Sequence, residues 1–169
     1  TGGSGEDGTA VHVEREWRAL EGQVATPYQR FDLLDAWQDS VGIKLGATAL
    51  PAIAWDRDRR PLMVLPLVVR SLGPFRVGCF PGGKHANFNM ALWRRDFAAN
   101  AKPADLWQIL ALLGKRAPTL DALAFSQQPP EWNGIRNPFA LLPHQPSVNE
   151  CPLLAVDPAA PAGSYVGGS

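Results

Sequence analysis

The 169-residue chain is 46% hydrophobic and 19% charged, the balance of a folded domain with a real core and not of a disordered segment. Its 16 basic residues offset 16 acidic ones, so no net charge draws the chain as a whole to nucleic acid or to an anionic membrane. No run of about 18 uncharged apolar residues suggests a membrane span. No charged n-region followed by an apolar stretch opens the chain, so a cytoplasmic location is the expectation.

In chain order, residues 1–10 read as a flexible leader, because Gly and Ser dominate Thr1 to Gly8. Val11 to Val13 read as a short strand. Glu14 to Glu21 follow as a helix, with Val13, Trp17 and Leu20 at helical spacing and Gly22 as its stop. Thr26-Pro27-Tyr28-Gln29 carries the marks of a helix start: a capping hydroxyl, a proline at the first position and a glutamine to close a capping box. That helix is expected to run to Val41, burying Phe31, Leu34, Trp37 and Val41, and to end at Gly42. Ala47 to Trp55 and Leu62 to Arg70 flank the charged run Asp56 to Arg60 and read as a hairpin. Pro51 and Pro66 remove ladder donors, so each is expected at an edge or a bulge. Phe75 to Phe80 read as a third strand and Phe88 to Trp93 as another short one. Pro103 opens the clearest helix, with Asp105 in its first turn and Leu106, Ile109, Leu110 and Leu113 along one face. Leu120 to Phe125 read as a buried strand, Pro129 to Leu142 as irregular, and Asn149 to Val156 as a last strand. The sum is an α+β domain over residues 11–157, a mixed and largely antiparallel sheet flanked by helices. Residues 158–169 read as a linker toward a second domain outside this chain.

Several short signatures occur in a fixed order. They are Trp17 with Leu20, Thr26-Pro27-Tyr28-Gln29 opening a helix that contains Trp37, Leu65-Pro66-Leu67 after the charged turn, Phe80 with Gly82 and Gly83, and Asn137-Pro138-Phe139. Together, over roughly residues 11–157, they resemble the N-terminal half of GNAT-like proteins of the CelD type, bacterial acetyltransferases of cellulose biosynthesis related to the FemAB-like enzymes. The resemblance implies a GNAT-like fold and two such halves in a longer chain. It implies that the C-terminal half holds the better site for acetyl-CoA or another acyl-CoA. The acyl acceptor would be an amine or hydroxyl of a sugar or peptide precursor, and the fragment alone would be inactive. A second GNAT-like domain of the same protein is the implied partner.

The residues themselves leave the chemistry open. A GNAT acyl-CoA site needs several backbone N–H groups at a helix start, usually within a glycine-rich turn. The segment Trp93 to Pro103 has no glycine and ends on a residue without an N–H; Arg94 and Arg95 fit a solvated turn better than a phosphate site. Gly82 and Gly83 suit an anion-binding nest with Lys84 adding charge, and His85 suits a general base. Asn87 and Asn89 alternate with Phe88 and Met90, which places both amides on one face of a strand. Gly82, Gly83, Lys84, His85, Asn87 and Asn89 are thus either a substrate-facing loop or a structural turn. Trp132, Arg136 and Asn137 lie in a loop that mixes aromatic, guanidinium and amide groups, suited to docking against a second domain first, and otherwise to simple packing or ligand contact. His12 and His144 are isolated, and Glu150 beside Cys151 lacks a histidine neighbour. The two cysteines, Cys79 and Cys151, are too few for a disulfide framework; they read as buried thiols, or else as a pair that meets in space, and have no zinc-ligand spacing, so no metal is expected. Against the acyltransferase stand two other readings. One is a non-enzymatic accessory module of polysaccharide synthesis; the other is a small catalytic domain with His85 as base.

Overall fold

The computed structural model describes residues 6–23, 25–147 and 159. The expected last strand, Cys151 and nearly all of the 158–169 linker lie outside them. The centre is the antiparallel pair β1 (Thr48–Trp55) and β2 (Pro61–Leu72), in register from Thr48 opposite Val69 to Ala54 opposite Met63. β3 (Phe75–Cys79) folds back on the second half of β2, and β4 (Leu92–Trp93) pairs with its first half. β5 (Ala122–Ala124) then pairs with β3 in parallel, giving the order β1-β2-β3-β5 with β4 also on β2. The fold is α+β with a mixed, mostly antiparallel sheet, as the order of elements in the sequence implies.

Alternation along β2 sends its side chains into two layers. Met63, Leu65 and Leu67 pack with Trp93, Ala98 of α3 (Arg95–Asn100), Leu106 of α4 (Pro103–Arg116), Ile135 and Phe139. Val64 faces the other way, into a smaller cluster with Trp17 and Leu20 of α1 (Glu6–Glu21). Three-residue β5 is less covered than expected, with only Leu123 half-buried.

Pro66 is not at an edge. It lies within the central strand, directly opposite Pro51 of the edge strand. Two facing prolines cannot exchange N–H···O bonds, so theirs is a non-hydrogen-bonded pair, and the missing N–H of Pro66 points to the far side of β2. There β3 pairs residues 68–72 and β4 pairs residues 63 and 64, and among the described residues no strand pairs with 65–67 on that side.

The helical segments depart further from expectation. Val11 to Val13 are not a strand but part of α1, which begins at Glu6, inside the stretch read as leader. Val13 joins Trp17 and Leu20 in the apolar cluster, which only the helical repeat permits. The helix expected from Thr26 to Val41 is divided. A 3-10 turn at Pro27–Gln29 stops at Arg30, whose backbone is extended at ψ 136°, before α2 (Phe31–Trp37) starts afresh. The Glu21 carboxylate accepts from Phe31 N at 3.2 Å and from Arg30 Nε at 3.0 Å, fixing that break. A π turn at Gln38–Gly42 and a 3-10 turn at Ile43–Leu45 follow, and the stop is left-handed Gly46, not Gly42. α3 was unforeseen, and Pro129 to Leu142, read as irregular, contains the hairpin of β6 (Glu131–Trp132) with β7 (Ile135–Arg136) and a 3-10 turn at Pro138–Leu141. Phe88 to Met90 are not strand; only Leu92 and Trp93 pair.

The charged turn between β1 and β2 is organised by Asp56. Its Oδ1 accepts from Asp58 N and Arg60 N at 2.9 Å each, and its Oδ2 accepts from Arg94 Nη1 at 2.7 Å. The Arg60 backbone N–H first, and the Arg94 guanidinium second, hold the Asp56 pKa down at about 2. A carboxylate depressed below its ordinary value near 4 adds stability that is complete above that value and disappears as pH falls toward 2. Asp56→Asn is therefore expected to lower the urea midpoint at neutral pH, and the gap from the parent is expected to close between about pH 4 and pH 2. A gap independent of pH would show that the turn is held by its backbone alone.

Candidate functional site

The segment after β3 begins with a tight turn. Gly82 and Gly83 both have positive φ, 89° and 54°, and His85 N closes the turn on Gly82 O at 3.1 Å. A Cβ on Gly82 would lie 2.9 Å from Ala86 Cβ, so the position is closed to side chains for two reasons. Lys84 falls within this turn, and His85 and Asn87 are exposed.

Asn89 is not beside Asn87 on an exposed strand face. The backbone from Phe88 to Ala91 is irregular, and Asn89 is 2% exposed. It stands in a chain of buried amides. Trp17 Nε1 donates to Gln29 O at 2.9 Å, and Gln29 Nε2 donates to Phe88 O and to Asn89 Oδ1, both at 3.2 Å. Asn89 Nδ2 donates to Ser126 O at 3.3 Å, and Asn89 N donates to Gln127 O at 2.9 Å. Gln128 Nε2 donates to Asn89 O, and Gln128 Oε1 accepts from Asn137 Nδ2 at 3.1 Å. Thr26 caps its turn by accepting from Tyr28 N at 3.2 Å, as expected of a cap. Gln29, however, does not complete a capping box; it turns inward, and its Oε1 accepts from Met90 N at 3.3 Å.

An apolar cleft of about 560 Å³ opens on the α1 and α2 face of the sheet, a volume suited to a small ligand. Pro51 and Pro66 floor it, Trp17, Phe31 and Leu34 wall it, and Pro81, the residue before the glycine turn, lies at its end. Gln38 also lines the cleft; its Nε2 donates to Ala47 O at 2.9 Å. Its Oε1 is buried without a partner, against Gly42, where a Cβ would lie 2.6 Å away. Val13, Trp17, Phe31, Leu34, Trp37, Pro51 and Pro66 carried signals in the sequence as helix-face residues or strand prolines, but that they line one cleft was not legible before folding.

Of the expected docking residues, Asn137 is fully buried, its Nδ2 also donating to Pro129 O at 2.9 Å and its Oδ1 accepting from Phe139 N at 3.2 Å. Trp132 packs on Phe88 with centroids 5.4 Å apart and the rings tilted by 39°, and only Arg136 is exposed. A second hollow of about 950 Å³ lies between α4, β5 and residues 139–147, walled by Trp107, Phe125 and Leu142. The start of α4 is occupied by its own carboxylate: Asp105 Oδ2 accepts from Lys102 N at 2.9 Å, and Pro103 has no N–H. Arg94 is engaged by Asp56 and Asp96, and Arg95 Nη2 donates to Gln23 O at 3.1 Å. Burial pushes the Cys79 thiol up, away from the thiolate a nucleophile needs. Among the described residues no cluster of His, Cys, Asp and Glu is placed to hold a metal, and no helix is long and apolar enough to cross a membrane.

Truncating a member of the amide chain strands its buried partners, at about 1–3 kcal/mol each. Asn89→Ala and Gln29→Ala are both expected to cost that much in urea unfolding, and the double variant less than the sum because they share a bond. Additive losses would mean that the two amides are independent. Gly82→Ala is expected to cost more than Gly83→Ala, since both are left-handed but only the first meets Ala86; equal midpoints would contradict it. No family model, curated protein or solved structure matches this chain.

Proposed function

We propose that this chain is the acceptor-side domain of a GNAT-like acyltransferase, which moves an acyl group from acyl-CoA to an amine or hydroxyl of a sugar or peptide precursor. The observation that carries the reading is the apolar cleft on the sheet face, bounded by Trp17 and Phe31 and ending at Pro81. Aromatic walls suit the apolar face of a sugar ring or a peptide side chain. The glycine turn that follows Pro81, which lines the cleft, carries the exposed His85 and Asn87, an imidazole and an amide of the kinds that serve as a base and orient a hydroxyl.

The residues present do not fit the pyrophosphate of CoA. Anion binding at a helix start needs free N–H groups and an uncompensated dipole. At α4 one N–H is missing, a second is taken by Asp105, and the carboxylate brings a negative charge to the same place. Gripping the acyl-CoA therefore falls to a second domain of the same protein, and no step is assigned to the cofactor here. The same closed helix start favours a second reading, an accessory module of polysaccharide synthesis that keeps the scaffold without the chemistry.

Calorimetry of this chain with acetyl-CoA is expected to give no heat of binding; micromolar affinity would overturn the division of labour. In the full-length protein, His85→Ala is expected to lower kcat by about 10²-fold while acceptor binding, read by tryptophan fluorescence, is unchanged. Acyl transfer undetectable in the full-length protein, with acceptor binding retained, would leave the accessory module as the function.

A further inference from the structure

The topology gathers one set of exposed side chains at a single end of the sheet. β1 begins at Thr48 opposite Val69, and the β2–β3 turn lies just beyond, with Leu72 opposite Phe75. β5 begins at Ala122 opposite Val77, so the segment that links α4 to β5 reaches the same end. The residues before β1, the β2–β3 tip and the C-terminus of α4 are therefore neighbours.

Four large apolar side chains stand out from this end. Leu72 is 70% exposed and Phe75 58%, side by side across the Gly73-Pro74 turn, while Ile43 is 65% and Leu45 51% exposed. Cations surround them. Arg70 and Arg76 flank the tip on β2 and β3, Lys44 lies between Ile43 and Leu45, and Lys115 and Arg116 close α4. All five are exposed, and among the described residues none is in an ion pair. The nearby acids in sequence are Asp39 and Asp121, and Asp121 Oδ2 accepts from Arg76 N at 2.6 Å. Charge that balances over the whole chain is thus uneven locally.

We propose that this end is a contact surface for an anionic lipid bilayer, with Leu72 and Phe75 entering the headgroup layer and the five cations against lipid phosphates. Apolar side chains ringed by Lys and Arg are the pattern of interfacial binding. The placement selects lipid over a protein: Leu72 and Phe75 stand side by side at a hairpin tip, each more than half exposed, which a deformable headgroup layer accepts and a protein surface meets only with a matching pocket. A bilayer also offers spread negative charge, which suits cations from three separate segments better than one carboxylate would.

The test is co-sedimentation of the chain with large unilamellar vesicles. Binding is expected to phosphatidylcholine vesicles with about 30% phosphatidylserine, and to be about tenfold weaker to pure phosphatidylcholine or in about 0.5 M salt. Leu72→Ser with Phe75→Ser is expected to abolish sedimentation with an unchanged urea midpoint, and Arg70→Gln with Arg76→Gln to weaken it and flatten its salt dependence. No sedimentation with the anionic vesicles, or binding indifferent to the Leu72/Phe75 change, overturns the proposal. Self-association in solution that the same change abolishes, without vesicle binding, assigns the surface to a protein contact instead.

Discussion

Five amide and indole groups in the interior must each find a partner, and that requirement ties the molecule together. A buried amide without a hydrogen bond costs several times what the bond itself contributes net. Trp17, Gln29, Asn89, Gln128 and Asn137 come from α1, the 27–29 turn, the β3–β4 connection, the stretch after β5 and the cap of the Pro138–Leu141 turn. Each bond in the series joins two of these pieces, so displacing any one of them exposes unpaired groups on its neighbours. The apolar layers supply most of the driving force for collapse, but they are permissive about register. The amides are directional, and they set where the irregular segments lie.

The same series explains how a sheet with a gap holds together. Among the described residues, 65–67 of β2 have no strand on one side, where the chain leaves the sheet between Cys79 and Leu92. The leaving segment is the one that carries Gly82, Gly83 and Asn89. Pro66 removes the donor that would have faced the gap, and Asn89 anchors the detour to Gln29 on one side and to Ser126 and Gln128 on the other. The apolar cleft is a product of this arrangement. On the face that Val64 shares with the proline pair, α1 and α2 pack over Val64, and Pro51 and Pro66 line the cleft beside them.

Where local signals agreed with burial, the sequence was legible. The β1–β2 hairpin, β3 and α4 with Pro103 at its first position follow from alternation, turn chemistry and helical spacing. Where a residue had two uses, the local one misled. Gln29 three residues after Thr26 has the spacing of a capping box, yet its amide does more inside, where Asn89, Phe88 and Met90 have no water to turn to. Alternation from Asn87 to Met90 imitated a strand, but among the described residues no strand pairs with it. Val11 to Val13 were too few to decide between strand and helix, and Trp17 and Leu20 decided it through shared packing. Asn137 has the composition of a surface loop, and only its three bonds to Gln128, Pro129 and Phe139 place it in the core. The cleft was the least legible feature, since it is made by absent coverage.

One carboxylate connects stability to function. Asp105 stabilises α4 by meeting the helix dipole and satisfying the Lys102 N–H, a contribution of about 0.3–1 kcal/mol at an exposed position. An incoming phosphate would need that same N–H and that same positive end, and would meet the aspartate's charge at contact distance. The interaction that secures the helix is the one that disqualifies its start as a phosphate cradle. Pro103 works in the same direction, since it preorganises the first turn by giving up a donor. A crossover helix with both features is built to pack against the sheet through Leu106 and its neighbours. The apolar cleft lies on the other face of the sheet, lined by Pro51, Pro66, Trp17 and Phe31, away from this helix start.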